Sequence, residues 1–354
     1  MTSTATYIQK PPSTRGKIPG PGAANRPLFI GIATLVTIVL SCIFTLSMPN
    51  LDILNAILLA VMGAIALNVL MGSAGMISMG NPAFLAVGAF ATVWFQDAGV
   101  PGFVAVVAAT LLSGAVGMIV GLPAVRLRGF QLVLSSIAAF FIVIFVVRKY
   151  QDAEAGASGF LTTPWFQSAG LVDSQRYWAF LLLGVVIALI LAAHATTTRK
   201  FGRALRLLRE HEIAAATLGY RVTRYKLIVF TLTSAVIGLQ GGLTANLQGV
   251  VSSENYTLLA AIIYIQMVII GGLDSILGSV LGATIVISMP QVTQAVMRSA
   301  GGDNTLLLQS SQYALIASGV LVIVMILISP SGGLVGLLES TKSKLLANPR
   351  LRRN

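Results

Sequence analysis

Long apolar runs separated by short polar connections constrain this chain more than any other feature. A helix needs about 20 mostly apolar residues to cross the hydrocarbon of a bilayer. Ten runs approach that length: 28–48, 51–71, 83–96, 101–122, 130–147, 178–194, 227–247, 257–273, 277–297 and 312–329. The third run is short enough to be a broken or re-entrant helix. Charged residues make up 10% of the chain, against about 25% in a typical soluble domain. The pattern predicts an all-α polytopic membrane protein with about ten transmembrane helices.

The basic residues of the chain predict its orientation. With both termini in the cytoplasm, 19 of the 23 Lys and Arg residues fall on the cytoplasmic side, as the positive-inside rule requires. Residues 1–27 are polar and basic and predict a disordered cytoplasmic tail, residues 28–330 the transmembrane domain, and residues 331–354 a second basic cytoplasmic tail. The net charge of +12 does not indicate nucleic acid, because the basic residues lie in short loops between spans. Membrane lipid is the expected surrounding.

One cationic segment, 198–226, stands out among the connections. It carries eight Lys and Arg residues against only Glu210 and Glu212. Residues 201–218 contain no proline and are rich in good helix formers, which predicts a helix with Gly219 at its left-handed C-terminal cap. The run from Glu212 to Gly219 has small side chains that would let a helix sit deep in a partner's groove, with arginines beside it. An ordinary solvated basic loop is an equally good interpretation of the composition.

The chemistry that the sequence lacks excludes several functions. Every Asp and Glu falls at a span end, in a loop or in a tail, which disfavours a carrier driven by protons or sodium. His194 and His211 lie at or in the basic segment and Cys42 is the single cysteine, so neither a metal site nor a hydrolase is indicated. The one Gly-Lys pair is followed by Ile18 and does not complete a phosphate-binding loop. Energy for uphill transport would have to come from another subunit.

Small residues recur four apart in several of the apolar runs. Ser234, Gly238 and Gly242 form one such series, and Gly117 and Gly121 form another. Small residues allow helix backbones to approach closely in lipid. We expect them to pack helices of this chain against one another rather than to form a dimer seam.

Four amides in apolar runs are candidates for a solute pathway: Asn68, Gln131, Gln240 and Gln266. An unpaired amide in hydrocarbon is costly, so each must face another helix or a cavity. Hydrogen bonding between helices is the alternative interpretation at each position.

Four stretches, taken in order, resemble the branched-chain amino acid ABC importer permeases, and most closely their larger, M-type subunit. They are Gly72 to Gly80 with Ala83-Phe84 and Gly88-Ala89-Phe90, Arg126 to Gly129, Arg203 to Gly242, and Val268 to Gly278 with Leu281-Gly282-Ala283. The resemblance covers about Leu51 to Pro330. The chain departs from the family pattern at Asn81-Pro82, at Gln131, and at Asp274, where glycine is common.

The resemblance implies an all-helical permease, similar to the vitamin-B12-type importer fold, that performs no covalent chemistry and needs no cofactor. Its partners would be a second, H-type permease, two ATPase subunits and an extracytoplasmic substrate-binding protein in the bacterial cytoplasmic membrane. An ATPase-coupling loop would contain Arg206, Arg209, Glu210, Glu212, Ala214, Ala215 and Gly219. The substrate would be a branched-chain amino acid or a related small polar solute. A stand-alone channel for a small neutral solute such as urea is the alternative.

Overall fold

The computed structural model describes residues 26–45, 47–127, 129–162, 165–166, 171–299, 310–329 and 332–337. Twelve α-helices of six or more residues account for most of them: α1 Arg26–Thr45, α2 Met48–Asn68, α3 Asn81–Asp97, α4 Gly102–Ala124, α5 Phe130–Glu154, α6 Leu171–Thr198, α7 Lys200–Glu210, α8 Glu212–Thr217, α9 Val222–Gln248, α10 Leu258–Gly271, α11 Ile276–Ser299 and α12 Ser310–Ile328. The strands β1, Phe160–Leu161, and β2, Val250–Val251, form one antiparallel pair. We call the end of the bundle that carries α7 and α8 the basic end, and the opposite end, with β1 and β2, the far end.

Six helices are long and apolar enough to cross a membrane: Pro49–Ser73, Gly102–Ala124, Phe130–Glu154, Asp173–Thr198, Val222–Gln248 and Ile276–Ser299. Three shorter apolar helices, Ala33–Thr45, Leu258–Gly271 and Gln312–Ile328, and the 17-residue α3 supply the remaining apolar runs. The predicted helical, polytopic membrane architecture is therefore confirmed, whereas the count of ten complete crossings stays a prediction.

The third apolar run is continuous, and the irregular backbone precedes it. At the end of α2 the chain widens into a π-helical turn, Val69–Ser73, and then runs without regular structure to Gly80. Helix α3 begins at Asn81 with Pro82 in its first turn, where the missing N–H of proline costs nothing. Most of α3 is buried against α4 and α9.

Close helix packing depends on the small residues that the sequence placed four apart. A methyl group on Gly117 would lie 2.3 Å from Cβ of Ser234, and one on Gly242 would lie 2.6 Å from Oγ1 of Thr92. These contacts join α4, α9 and α3 within one chain, so the expectation of intramolecular packing is confirmed. A second group of buried apolar residues joins α2, α6 and α11 and contains Met62, Trp178 and Leu182.

Side-chain contacts close the far end of the bundle. The Gln151 Oε1 atom on α5 accepts a hydrogen bond from the backbone N–H of Ser253 at 2.7 Å. The hydroxyl of Thr162 donates to the carbonyl of Ala245 at 2.9 Å. The two predicted tails lie mostly outside the described residues, which do not include 1–25 or 338–354. Helix α1 begins at Arg26, within the predicted N-terminal tail.

Candidate functional site

The basic segment folds into two helices rather than the single helix predicted from residues 201–218. Helix α7 ends at Glu210, and His211 has an extended backbone with φ −145° and ψ 85°. The N–H of His211 still bonds to the carbonyl of Leu207 at 2.9 Å, and its own carbonyl accepts from the N–H of Ala215 at 3.0 Å. His211 thus closes one helix and opens the next. Helix propensity favours a continuous helix, but the contacts of α7 and α8 with the bundle outweigh that local preference.

Helix α7 is amphipathic and lies with one face on the bundle. Its buried side is formed by Gly202, Ala204, Leu205 and Leu208. Leu205 and Leu208 pack into the same apolar cluster as Leu70, in the π-helical turn after α2, and Phe230 on α9. The arginines of α7 lie outside this buried side and are exposed, as expected for an amphipathic helix.

Helix α8 buries one side chain completely and exposes most of the others. Ala215 is 0% exposed and packs into the apolar cluster. Ile213 and Leu218 are 74% and 68% exposed, and Ala214 is exposed as well. Among the small residues predicted to face a partner, Ala214 and Gly219 are therefore accessible, whereas Ala215 supports the helix from beneath. Ile213 and Leu218 are additional surface residues that the sequence interpretation missed.

Gly219 ends α8 in the predicted left-handed conformation, with φ +86°. Its N–H bonds to the carbonyl of Ala216 at 3.0 Å, and the N–H of Tyr220 bonds to the carbonyl of Ala215 at 3.1 Å. This pair of bonds is the Schellman motif. The predicted cap is confirmed, and it reverses the chain into α9.

Glu212 faces the bundle rather than a partner. Its carboxylate accepts a hydrogen bond of 3.0 Å from the ammonium group of Lys226 on α9. Lys226 is only 8% exposed, so the pair neutralises a nearly buried charge. Glu210, by contrast, is exposed at the end of α7.

Arg206 and Arg209 also contact the bundle. Arg206 Nε lies 3.3 Å from Oδ2 of Asp274 in the turn between α10 and α11. Arg209 donates from Nη1 to the carbonyl of Gly72 in the π-helical turn. A cation is favourable there because unpaired carbonyls accumulate at the end of a helix. The basic segment is thus fastened to three membrane helices at the basic end.

The four candidate pathway amides are dispersed. Asn68 is buried and satisfied, because Nδ2 donates to the Ser275 carbonyl at 2.7 Å and to Ser279 Oγ at 2.6 Å. Gln266 accepts a 3.3 Å hydrogen bond from Ser318. For these two amides the structure supports bonding between helices rather than a pathway.

Gln131 and Gln240 complete the set of amides. Gln131 is exposed in the first turn of α5, just after the turn at Gly129, so its predicted burial is wrong. Gln240 is buried and donates to the Tyr264 hydroxyl, and its Oε1 atom has no hydrogen-bond partner. Of the four, only Gln240 combines burial with an unsatisfied polar atom.

Two cavities differ in chemistry. A cavity of about 240 Å³ between α2, α6 and α9 is lined almost wholly by hydrocarbon, including Leu189, Val236 and Leu239. A cleft of about 520 Å³ at the basic end lies beside Gly219, with Arg221 and Arg224 among its lining residues. Within the described part of the chain no group of three His, Cys, Asp or Glu side chains is placed to hold a metal ion.

A helical membrane domain with a small anchored helix pair at one end defines the class of the protein: a polytopic helical membrane protein. Residues 50–329 match the family described as branched-chain amino acid transport system / permease component, and the chain belongs to that family.

Curated relatives agree with the family assignment. The chain is 27% identical over 287 residues to the high-affinity branched-chain amino acid transport system permease protein LivM of Salmonella typhimurium, and 26% identical to LivM of Escherichia coli. Each alignment covers 74% of this chain and 63% of the relative, so the chain spans less than two thirds of their length. A probable LivH of Methanocaldococcus jannaschii is 29% identical over 153 residues, which is 43% of this chain and 45% of that protein.

One solved structure, PsaBC from Streptococcus pneumoniae in complex with Fab, superposes over 79% of this chain and 94% of its own chain with a TM-score of 0.40 and 13% identity. Likeness at that level does not define the fold. The vitamin-B12-type fold therefore stays a prediction.

Proposed function

We propose that this chain is the M-type permease subunit of an ABC importer for branched-chain amino acids or a related small polar solute. It would lie in the bacterial cytoplasmic membrane with both termini and the basic end in the cytoplasm. Membership of the permease family supports this function. The partners would be an H-type permease, two ATPase subunits and an extracytoplasmic binding protein. Ten crossings in a vitamin-B12-type fold would complete the architecture.

The observation that carries the proposal is the exposed apolar surface of α8 at the basic end. Ile213 and Leu218 are accessible, although water-exposed loops normally keep such side chains covered or scattered. They stand on a helix that Ala215, Glu212 and Gly219 fix in position. Ile213 and Leu218 thus form an apolar knob, held in place by these contacts. Such a knob is suited to a groove on a soluble ATPase subunit, where hot-spot side chains are desolvated.

Arginines beside the knob would complete the docking surface. Arg221 and Arg224 are exposed and line the cleft next to Gly219. They are available to pair with acidic groups on the ATPase, whereas Arg206 and Arg209 hold α7 to the bundle. Of the predicted coupling residues, Glu210 and Ala214 would face the partner, and the remaining ones would position the segment.

The solute path would be shared with the second permease. An amino acid carries an ammonium and a carboxylate, which need polar partners when they leave water. The cavity between α2, α6 and α9 is lined by hydrocarbon, so it does not provide them. Gln240, with its unsatisfied oxygen, is the residue of this chain that we assign to the path.

Reconstitution tests the function directly. The chain is expressed with an H-type permease, ATPase subunits and a binding protein encoded in the same genome, purified in detergent and placed in proteoliposomes. We expect a stable complex and uptake of radiolabelled leucine that needs both ATP and the binding protein. Flux of leucine or urea through this chain alone, without ATP and without complex formation, would instead establish the channel alternative. An intact complex that accumulates another solute would revise the substrate only.

A further inference from the structure

Asp274 is the one non-glycine residue with a positive φ in the part of the chain that the structure describes, at φ +65°. It follows Gly272 and Leu273 in the turn that joins α10 to α11. Side chains other than glycine are disfavoured in this region, although aspartate tolerates it better than most. Glycine would adopt this backbone conformation at a lower free-energy cost. The presence of aspartate therefore indicates that its carboxylate has a role.

Both oxygens of that carboxylate are engaged, on two different elements. Oδ1 accepts a hydrogen bond of 2.8 Å from the hydroxyl of Ser73 in the π-helical turn after α2. Oδ2 lies 3.3 Å from Nε of Arg206 on α7. Asp274 thus joins the ends of two membrane helices to the helix that precedes α8.

The membrane side of this junction is rigid. The N–H of Asp274 donates to Oδ1 of Asn68 at 2.9 Å, and the amide of Asn68 reaches Ser275 and Ser279. A methyl group on Gly72 would lie 2.5 Å from the N atom of Asp274. These contacts tie the turn to the end of α2 and hold the carboxylate at their junction.

The α7 side of the junction is polar and half-exposed. The side chains of Arg206 and Asp274 are 46% and 30% exposed. Arg206 also donates from Nη2 to the carbonyl of Thr197 at the end of α6, at 3.2 Å. Water and ions screen an ion pair with this exposure, so it contributes little to the stability of the fold. A weak, specific and solvent-accessible pair is suited to being made and broken during a cycle.

We propose that Asp274, Arg206 and Ser73 form a releasable link that positions α7 and α8 against the ends of α2, α10 and α11. This inference rests on the proposed function, because the movement transmitted is that of the ATPase subunits bound at α8. The link transmits force from α7 to the membrane helices in one state of the cycle and yields in the other. These three residues are positioning residues and contact neither solute nor nucleotide.

The test uses the complete complex with D274N, D274G and R206Q, and the double variant D274N/R206Q. Asparagine keeps the shape and the tolerance of positive φ, and glycine removes the backbone cost as well. The control is D173N, which removes an ion pair with side chains 38% and 61% exposed at the far end, where Arg176 Nη1 lies 3.8 Å from Oδ1 of Asp173. Complex yield, ATP hydrolysis and leucine uptake are measured on the same preparation.

We expect normal complex yield and about a two- to fivefold fall in leucine transported per ATP for each link variant, the scale of one half-exposed ion pair. The double variant should be no worse than R206Q, because both changes remove the same interaction. D173N should match the wild type.

Two results would overturn the link. In one, the link variants transport as much leucine per ATP as the wild type; in the other, complex yield falls while the ratio is unchanged, which indicates structural support only. A wild-type chain that forms no complex with ATPase subunits would refute the proposed function itself, and the link with it. That outcome is visible before any variant is compared.

Discussion

Gly88 on α3 and Gly238 on α9 meet backbone to backbone, and a methyl group added to Gly88 would lie 2.0 Å from the carbonyl oxygen of Gly238. Gly238 is equally confined on its other side, where Cβ of Ser113 would lie 2.2 Å from an added methyl group. Three membrane helices therefore meet here, with no side chain between α3 and α9 and only that of Ser113 between α4 and α9. Van der Waals contact of this kind is a main source of helix association in lipid.

Gly88→Ala should destabilise the bundle by about 1–3 kcal/mol, because the new methyl group forces backbones apart. Thermal unfolding of the purified chain, followed by size-exclusion chromatography in detergent, measures the change. Gly184→Ala is the matched control, since a methyl group there meets nothing within 4 Å, and it should be neutral or stabilise by about 0.5–1 kcal/mol. Equal melting temperatures for the two variants would contradict the crossing.

Glu212→Gln should lower stability, because it leaves the ammonium group of Lys226, 8% exposed, without its counter-charge. Leaving a nearly buried charged group poorly paired costs on the order of 1–3 kcal/mol. Glu210→Gln, at an exposed position two residues earlier at the end of α7, is the control and should change little. The double variant E212Q/K226M should recover much of the loss, since it removes both charges together. Failure to recover would mean that the pair is not what anchors α8.

Ile213→Asp and Leu218→Asp should each weaken binding of the ATPase subunits by about tenfold or more, as expected when a hot-spot side chain is lost. Both residues are exposed in this chain, so its insertion and melting temperature should not change. Pull-down of the ATPase by the tagged permease and ATP-driven uptake measure the effect. Leu161→Asp, at an exposed apolar position on β1 at the far end, should bind the ATPase normally.

Ala215, unlike Ile213 and Leu218, should affect the stability of α8 rather than its contact with the ATPase. It has no exposed surface, so Ala215→Arg would lose uptake through misfolding of α8 and not through a blocked surface. Its melting temperature should fall together with its activity. An A215R protein with wild-type stability and no ATPase binding would show that Ala215 faces the partner after all.

The sequence predicted those features that depend on period and composition. Span positions follow from apolar length, and the Gly219 cap from the chemistry of helix ends. The break at His211 was missed because local helix propensity favours a continuous helix. The burial of Ala215 and the Glu212–Lys226 pair are tertiary contacts, which local propensity does not reveal. The predicted burial of Gln131 was wrong, because a position near the end of an apolar run does not determine how deeply the side chain is buried. Asp274 was noticed only as a departure from the family pattern, and its contacts with Ser73 and Arg206 join residues far apart in the chain.

Gly219→Ala should cost about 1 kcal/mol, because φ +86° places a side chain in the left-handed region. Strain alone is tested here, since an added methyl group meets nothing within 4 Å. Gly219→Asn should be milder, because asparagine tolerates this region, and Gly219→Val should be worst, because its β-branch does not. Since the turn orients α8 relative to α9, ATPase binding should fall in the same order as the melting temperature. Identical behaviour of the three variants would exclude the left-handed cap.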